Sequence, residues 1–201
     1  MGLLSGSASF VRYQVEGNLP ERSGDFLAEK IEQYSFRDID DNYEERSIGW
    51  VSVLNMFDSK FEYSSYMAGD FILLSMRIDE RKVAPAVLKK FCLKEEERIK
   101  KERQVPKLSR SHKLEIKDNM QLMLIKKSVP VPTVYDLCWN LAEGTLLFFS
   151  TSQKAQANLE DFFKECFDLH VVLQIPYLTA GRLLDPGQED ALADITPDIF
   201  V

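Results

Sequence analysis

Apolar and polar residues alternate from Ser9 to Glu16, with Phe10, Tyr13 and Val15 set against Arg12, Gln14 and Glu16, which predicts a strand ending at Gly17-Asn18. A helix follows. Pro20 and Glu21 suit its first turn, and Phe26, Leu27, Ile31, Tyr34 and Phe36 recur at close to helical spacing. Arg37 to Glu45 reads as a polar loop, and Ile48–Leu54 and Asp70–Ile78 as the next two strands. The second of these, rich in Phe71, Ile72, Leu73, Leu74 and Met76, is apolar enough to be central in a sheet. With an edge strand at Lys60–Tyr66, the first third reads β-α-β-β.

Around Pro85 the period changes. Val83, Val87, Leu88, Phe91 and Cys92 form a helical stripe with the proline in the first turn, where its missing N–H costs nothing. After Leu93 the stripe stops, and Lys94 to Arg103 is polar on every side, so the helix should leave the body of the domain. Pro106 breaks it, and a second helix capped by Ser109 or Ser111 runs to Lys127. Val129-Pro130-Val131-Pro132 returns the chain in extended form, followed by a hairpin (Thr133–Leu141 and Thr145–Thr151), a helix from Ser152 to Phe167 and a strand at Leu169–Ile175, or β-β-α-β. The fold class expected is α+β: an N-terminal lobe over 1–80, a basic helical arm over 81–128, a C-terminal lobe over 129–176 and an acidic tail over 177–201.

The 201 residues, 45% of them apolar, suffice for one full core or two small ones without cross-links. A net charge of −7 argues against a polyanion-coating protein, but the total conceals a segregation. Between Arg77 and Lys127 there are 16 Lys/Arg against eight Asp/Glu, leaving nine basic and 24 acidic residues for the other 150 positions. Cys92, Cys138 and Cys166 are scattered in apolar runs, as expected of small thiols in a reducing compartment, with neither a disulfide nor a zinc pattern. The start of the chain lacks a targeting pattern, and no apolar run approaches the ~18 residues needed to span a bilayer. A cytoplasmic protein with no membrane partner is expected.

Catalytic parts are few. His112 opens the second basic helix and His170 lies in the last strand, neither beside a nucleophile motif; phosphate-loop, dinucleotide, hydrolase-elbow and zincin patterns are absent. The acidic run Asp38, Asp40, Asp41, Glu44 and Glu45 has the oxygen ligands that Mg²⁺ favours, which a nuclease would need, although a solvated loop is the simpler reading. The basic arm has both density and placement. Lys89, Lys90, Lys94, Lys100, Lys101, Arg103, Lys107, Arg110, Lys113, Lys117, Lys126 and Lys127 could lie along a phosphate backbone, making contacts that carry no base sequence information. The bland alternative is a solvated helix held by Glu96–Lys100 and Glu97–Lys101 pairs.

Ile48-Gly49-Trp50-Val51, Gly69-Asp70-Phe71-Ile72-Leu73-Leu74, Arg77 to Val83 leading to Val87-Leu88-Lys89, and Lys107 to Asp118 resemble, in collinear order, the RdgC family of bacterial recombination-associated proteins. The Trp139 strand, Gly144 and Ser152-Gln153-Lys154-Ala155 extend the resemblance, which covers residues 8 to about 176. It implies a ring-shaped homodimer that binds DNA with little sequence preference and restrains RecA-driven strand exchange by occupying DNA. It also implies that Lys89, Lys107, Arg110, Lys113 and Lys117 face the duplex. The long members continue beyond the position of Pro176 with a further domain and carry an Arg-Phe pair after the arm, where this chain has Lys126-Lys127-Ser128, so a short form is expected.

The expectation is therefore a non-catalytic, cofactor-free, nucleoid-associated clamp on double-stranded DNA, a homodimer or larger, with RecA as a further candidate partner. The alternatives are a scaffold whose arm meets an acidic protein, and a Mg²⁺-dependent nuclease using Asp38, Asp40 and Asp41.

Overall fold

The computed structural model describes residues 2–4, 6–61, 65–184 and 194. Its elements are β1 (Val11–Glu16), α1 (Ser23–Gln33), β2 (Arg46–Val51), β3 (Met67–Ala68), β4 (Phe71–Arg81), α2 (Pro85–Arg103), α3 (Arg110–Lys127), β5 (Pro130–Asn140), β6 (Thr145–Phe148), α4 (Gln153–Phe167), β7 (His170–Leu173) and α5 (Pro176–Leu183). The class is α+β. The β-α-β-β and β-β-α-β stretches join in one antiparallel sheet, in the order β2-β4-β5-β6-β1-β7 with β3 on β4. β1 lies between β6 and β7, and β4 pairs with β5 over eleven residues from Phe71↔Asn140 to Arg81↔Pro130. The expected edge strand at Lys60–Tyr66 falls partly outside the described residues, and its described ends are not strand.

One face of the sheet presents Trp50, Ile72, Leu74, Met76, Leu137, Trp139, Leu146, Phe148 and Tyr13, all essentially inaccessible to water. Two amphipathic helices cover it. Leu27 and Ile31 of α1 and Leu159, Phe162, Phe163 and Phe167 of α4 complete a single core. Trp50 meets Phe162 at a centroid distance of 4.7 Å, and Trp139 meets Phe163 at 5.1 Å. Gly49 in β2 has to be glycine, since a Cβ there would lie 2.3 Å from the backbone of Phe36, which follows α1 and bonds to Trp50.

Tyr13 crosses this core to reach Glu160 at 3.2 Å, and burial together with that carboxylate raises its phenol well above the ordinary 10.0. Burial likewise raises the Cys166 thiol above its ordinary 9.0. Both groups stay neutral in the folded chain while their unfolded counterparts ionise near the ordinary values, so this stabilisation is complete below pH 9.0 and is lost progressively as pH rises beyond it. Urea melts at neutral and alkaline pH should show the decline, and a Tyr13→Phe variant should show a smaller one.

From Ser75 onward the opposite face of β4 is polar and buried: Ser75, Arg77, Asp79 and Arg81 follow one another at alternate positions. Ser75 Oγ donates to Asp136 Oδ1 at 2.6 Å, and Asp136 Oδ2 accepts the Leu3 N–H at 2.8 Å. Arg77 binds Asp79 through two parallel bonds of 2.8 and 2.6 Å and lies 4.1 Å over the Phe36 ring.

The start of the stretch read as an acidic tail is the helix α5, opened by Pro176 at its first position. Apart from Asp194, the acidic residues that define the tail lie outside the described residues.

Candidate nucleic-acid interface

The arm is a hairpin of two helices that starts where β4 ends and finishes where β5 begins. Pro85 opens α2; Gln104, in the left-handed region at φ 52°, closes it with its N–H on the Lys100 carbonyl. Ser109 caps α3 by accepting the His112 N–H at 3.3 Å. Nineteen residues of α2 make a rod about 28 Å long. Among the residues of both helices only Ile116 is buried, so the hairpin stands in solvent as the end of the apolar stripe at Leu93 predicts.

Arg81 fixes its base. The guanidinium donates to the carbonyls of Glu44 (3.0 Å), Ile39 (2.8 Å), Asn42 (2.9 Å) and Ser128, tying the end of α3 to the acidic loop over the sheet. That loop is built round cations. Asp38 and Asp40 help to raise the Arg77 pKa, after the larger effect of its bond to Asp79, and Asp38 Oδ1 also accepts the Asp40 N–H at 2.7 Å. Among the described residues no group of three or more His, Cys, Asp or Glu could hold a metal ion.

Between α2 and α3, on one flank, runs an open groove of about 1040 Å³. Val83, Ala84, Pro85, Leu88 and Ile125 supply its apolar lining, and Arg81, Lys82, Lys89, Lys113 and Lys117 its cations, against the single carboxylate Glu96. The spacing explains the row: Lys113, Lys117 and Gln121 are four residues apart on α3, as are Cys92 and Glu96 on α2. The other flank is mixed. Lys94, Arg98, Lys101 and Arg103 line its clefts with Glu95, Glu97 and Glu115. Arg98 sits between Glu95 at 2.6 Å and Glu102 at 3.1 Å, and its bond to Glu95 holds that carboxyl below the usual range.

The ion pairs therefore differ from the spacing expectation. Glu96 turns across the hairpin to Lys113 at 3.4 Å instead of along its own helix to Lys100, because position 96 faces α3. Arg98, whose fork reaches a turn in both directions, takes the partners on the far flank.

Of the residues picked out by sequence, the structure brings Lys89, Lys113 and Lys117 together in the groove. Lys107 and Arg110 stand exposed at the tip, Lys100 is half-buried, and Arg103 lies 3.3 Å from the His112 ring. Lys90 is exposed about 100° round α2 from Lys89. Lys94 and Lys101 belong to the far flank. Lys126 and Lys127 line a separate cleft with Asp40 and Asp41, and Lys126 Nζ sits 5.8 Å over the Tyr43 ring. Sequence reasoning missed Lys82, which is paired with Glu80 at 2.8 Å, and Cys92 on the groove wall. Burial and the nearby Glu96 raise the Cys92 thiol, with Lys117 opposing.

A family profile described as "Putative exonuclease, RdgC" matches residues 9–179, most of the chain and the whole of the sheet and arm. The chain belongs to the RdgC family. No curated protein matches it. RdgC membership makes this a recombination-associated protein at family level. In this RdgC chain no helix among the described residues is long and apolar enough to cross a membrane.

Proposed function

We propose that this RdgC-family chain is a non-catalytic, sequence-tolerant DNA-binding protein that restrains RecA-type strand exchange by occupying the duplex. The sorting of charge on the arm carries this reading: the groove flank concentrates lysines while the far flank neutralises its own. A rod about 28 Å long spans roughly eight base pairs at 3.4 Å each, enough for several phosphates on one side. The contacts are electrostatic, and every phosphate neutralised releases counterions.

Self-association has a surface of its own. Leu93, Leu114 and Leu122, none of which lines the groove, are each more than half exposed on the arm, an apolar display that a second copy of the chain would cover. The acidic loop supports a structural role for itself, since its carbonyls hold Arg81 and its carboxylates face the buried cations below.

The test is a salt titration of binding to a short duplex. The logarithm of affinity should fall linearly with the logarithm of salt, and each of Lys89→Gln, Lys113→Gln and Lys117→Gln should lower the slope by about one. The labelled duplex should stay intact in Mg²⁺. Salt-independent binding, or cleavage abolished by a chelator, would overturn the proposal.

A further inference from the structure

The groove has two properties that a bare phosphate track does not need: an apolar lining and the volume for a peptide. Residues 185–201 of the same chain have the matching chemistry. They contain Asp185, Glu189, Asp190, Asp194 and Asp198, no Lys or Arg, and the apolar Leu192, Ile195, Ile199, Phe200 and Val201. We propose that this segment docks in cis in the α2–α3 groove, its carboxylates on Lys89, Lys113 and Lys117 and its apolar residues on the lining. It thereby acts as an internal competitor for nucleic acid. The docking stands on the groove; the competition rests on the DNA-binding reading above.

Sheet geometry allows the reach. β5 points away from the arm, and three successive antiparallel pairings make β7 run back toward it. β7 lies three strand spacings from β5, about 14 Å. Its Leu173 is level, through Tyr13 and Leu146, with Trp139, nine residues or about 30 Å along β5 from the arm base. Eight residues of α5 add at most about 12 Å. Seventeen extended residues cover roughly 58 Å. Tethering raises the local concentration to the order of millimolar, so weak contacts between carboxylates and lysines suffice.

The experiment uses the full chain. Carbodiimide coupling joins a carboxylate to a lysine amine only when the two touch, and mixing ¹⁵N-labelled with unlabelled protein separates links within a chain from links between chains. Links within one chain from Glu189, Asp190 or Asp198 to Lys89, Lys113 or Lys117, suppressed by high salt, are expected. Their absence, or links found only between chains, would overturn docking in cis. In parallel, a full-length variant carrying Asp185→Asn, Glu189→Gln, Asp190→Asn, Asp194→Asn and Asp198→Asn is titrated with a short duplex. A groove occupied nine-tenths of the time weakens apparent affinity about tenfold, so the variant should bind about tenfold tighter. Unchanged affinity would overturn the competition. If neither protein binds DNA while the links form, the DNA reading fails and the docking stands.

Discussion

Replacing Lys89, Lys113 and Lys117 together by glutamate is expected to weaken duplex binding roughly 10²- to 10³-fold at low salt and to remove about three from the salt slope. The control is the same reversal on the other side of α2, at Lys90, Lys94 and Lys101. Both variants change net charge by the same amount, so a protein that responded only to its total charge would lose affinity equally in the two. Position decides instead. Lys89, Lys113 and Lys117 share one groove with a single carboxylate, whereas Lys94 and Lys101 already sit among Glu95 and Glu97. The far-flank triple should lose no more than about tenfold. Fluorescence anisotropy with a labelled duplex distinguishes the two, and equal losses would sink the assignment of a binding flank. All six positions are exposed, so circular dichroism should show both variants folded.

The largest loss of stability is expected from Asp79→Ala, at about 3–5 kcal/mol in urea denaturation. Asp79 is 1% and Arg77 5% exposed, so removing the carboxylate strands a cation under the acidic loop. The Phe36 ring, the Met56 carbonyl at 3.1 Å and the carboxylates of Asp38 and Asp40 remain as partial partners, but none replaces the paired hydrogen bonds that Asp79 supplies. Replacing both residues, as Arg77→Met with Asp79→Leu, should recover most of the loss, because no unpaired charge is then left inside. A double variant as unstable as the single one would show that the pair does more than neutralise itself.

Much of this architecture is local enough to be legible in the chain. The change of period at Pro85, the loss of the apolar stripe after Leu93 and the capping serine at 109 are events within a few residues, and the two helices of the arm follow from them. The union of the two β-bearing stretches is not local. Tyr13 pairs with Leu146 across 133 positions, and alternation in either strand says which face is apolar without naming a neighbour. α5 is not legible in the chain because Thr179 and Gly181 dilute its helical pattern. The lysine row was partly readable, since 113 and 117 are one turn apart. The register of α2 against α3, which brings Lys89 to the same groove, depends on side chains meeting across the hairpin. Nor could sequence separate Arg81 from Lys82: only the fold shows that the first is enclosed by carbonyls and the second is open to solvent.

The arm is inserted between two strands that are each other's hydrogen-bonded neighbours, and Arg81↔Pro130 is the last rung before it departs. Topologically it is an overgrown β-turn. The chain leaves and re-enters the sheet at adjacent points, so shortening or exchanging residues 84–129 changes no strand order and removes little from the core. Such a module can be changed in length and charge without disturbing the scaffold that aims it.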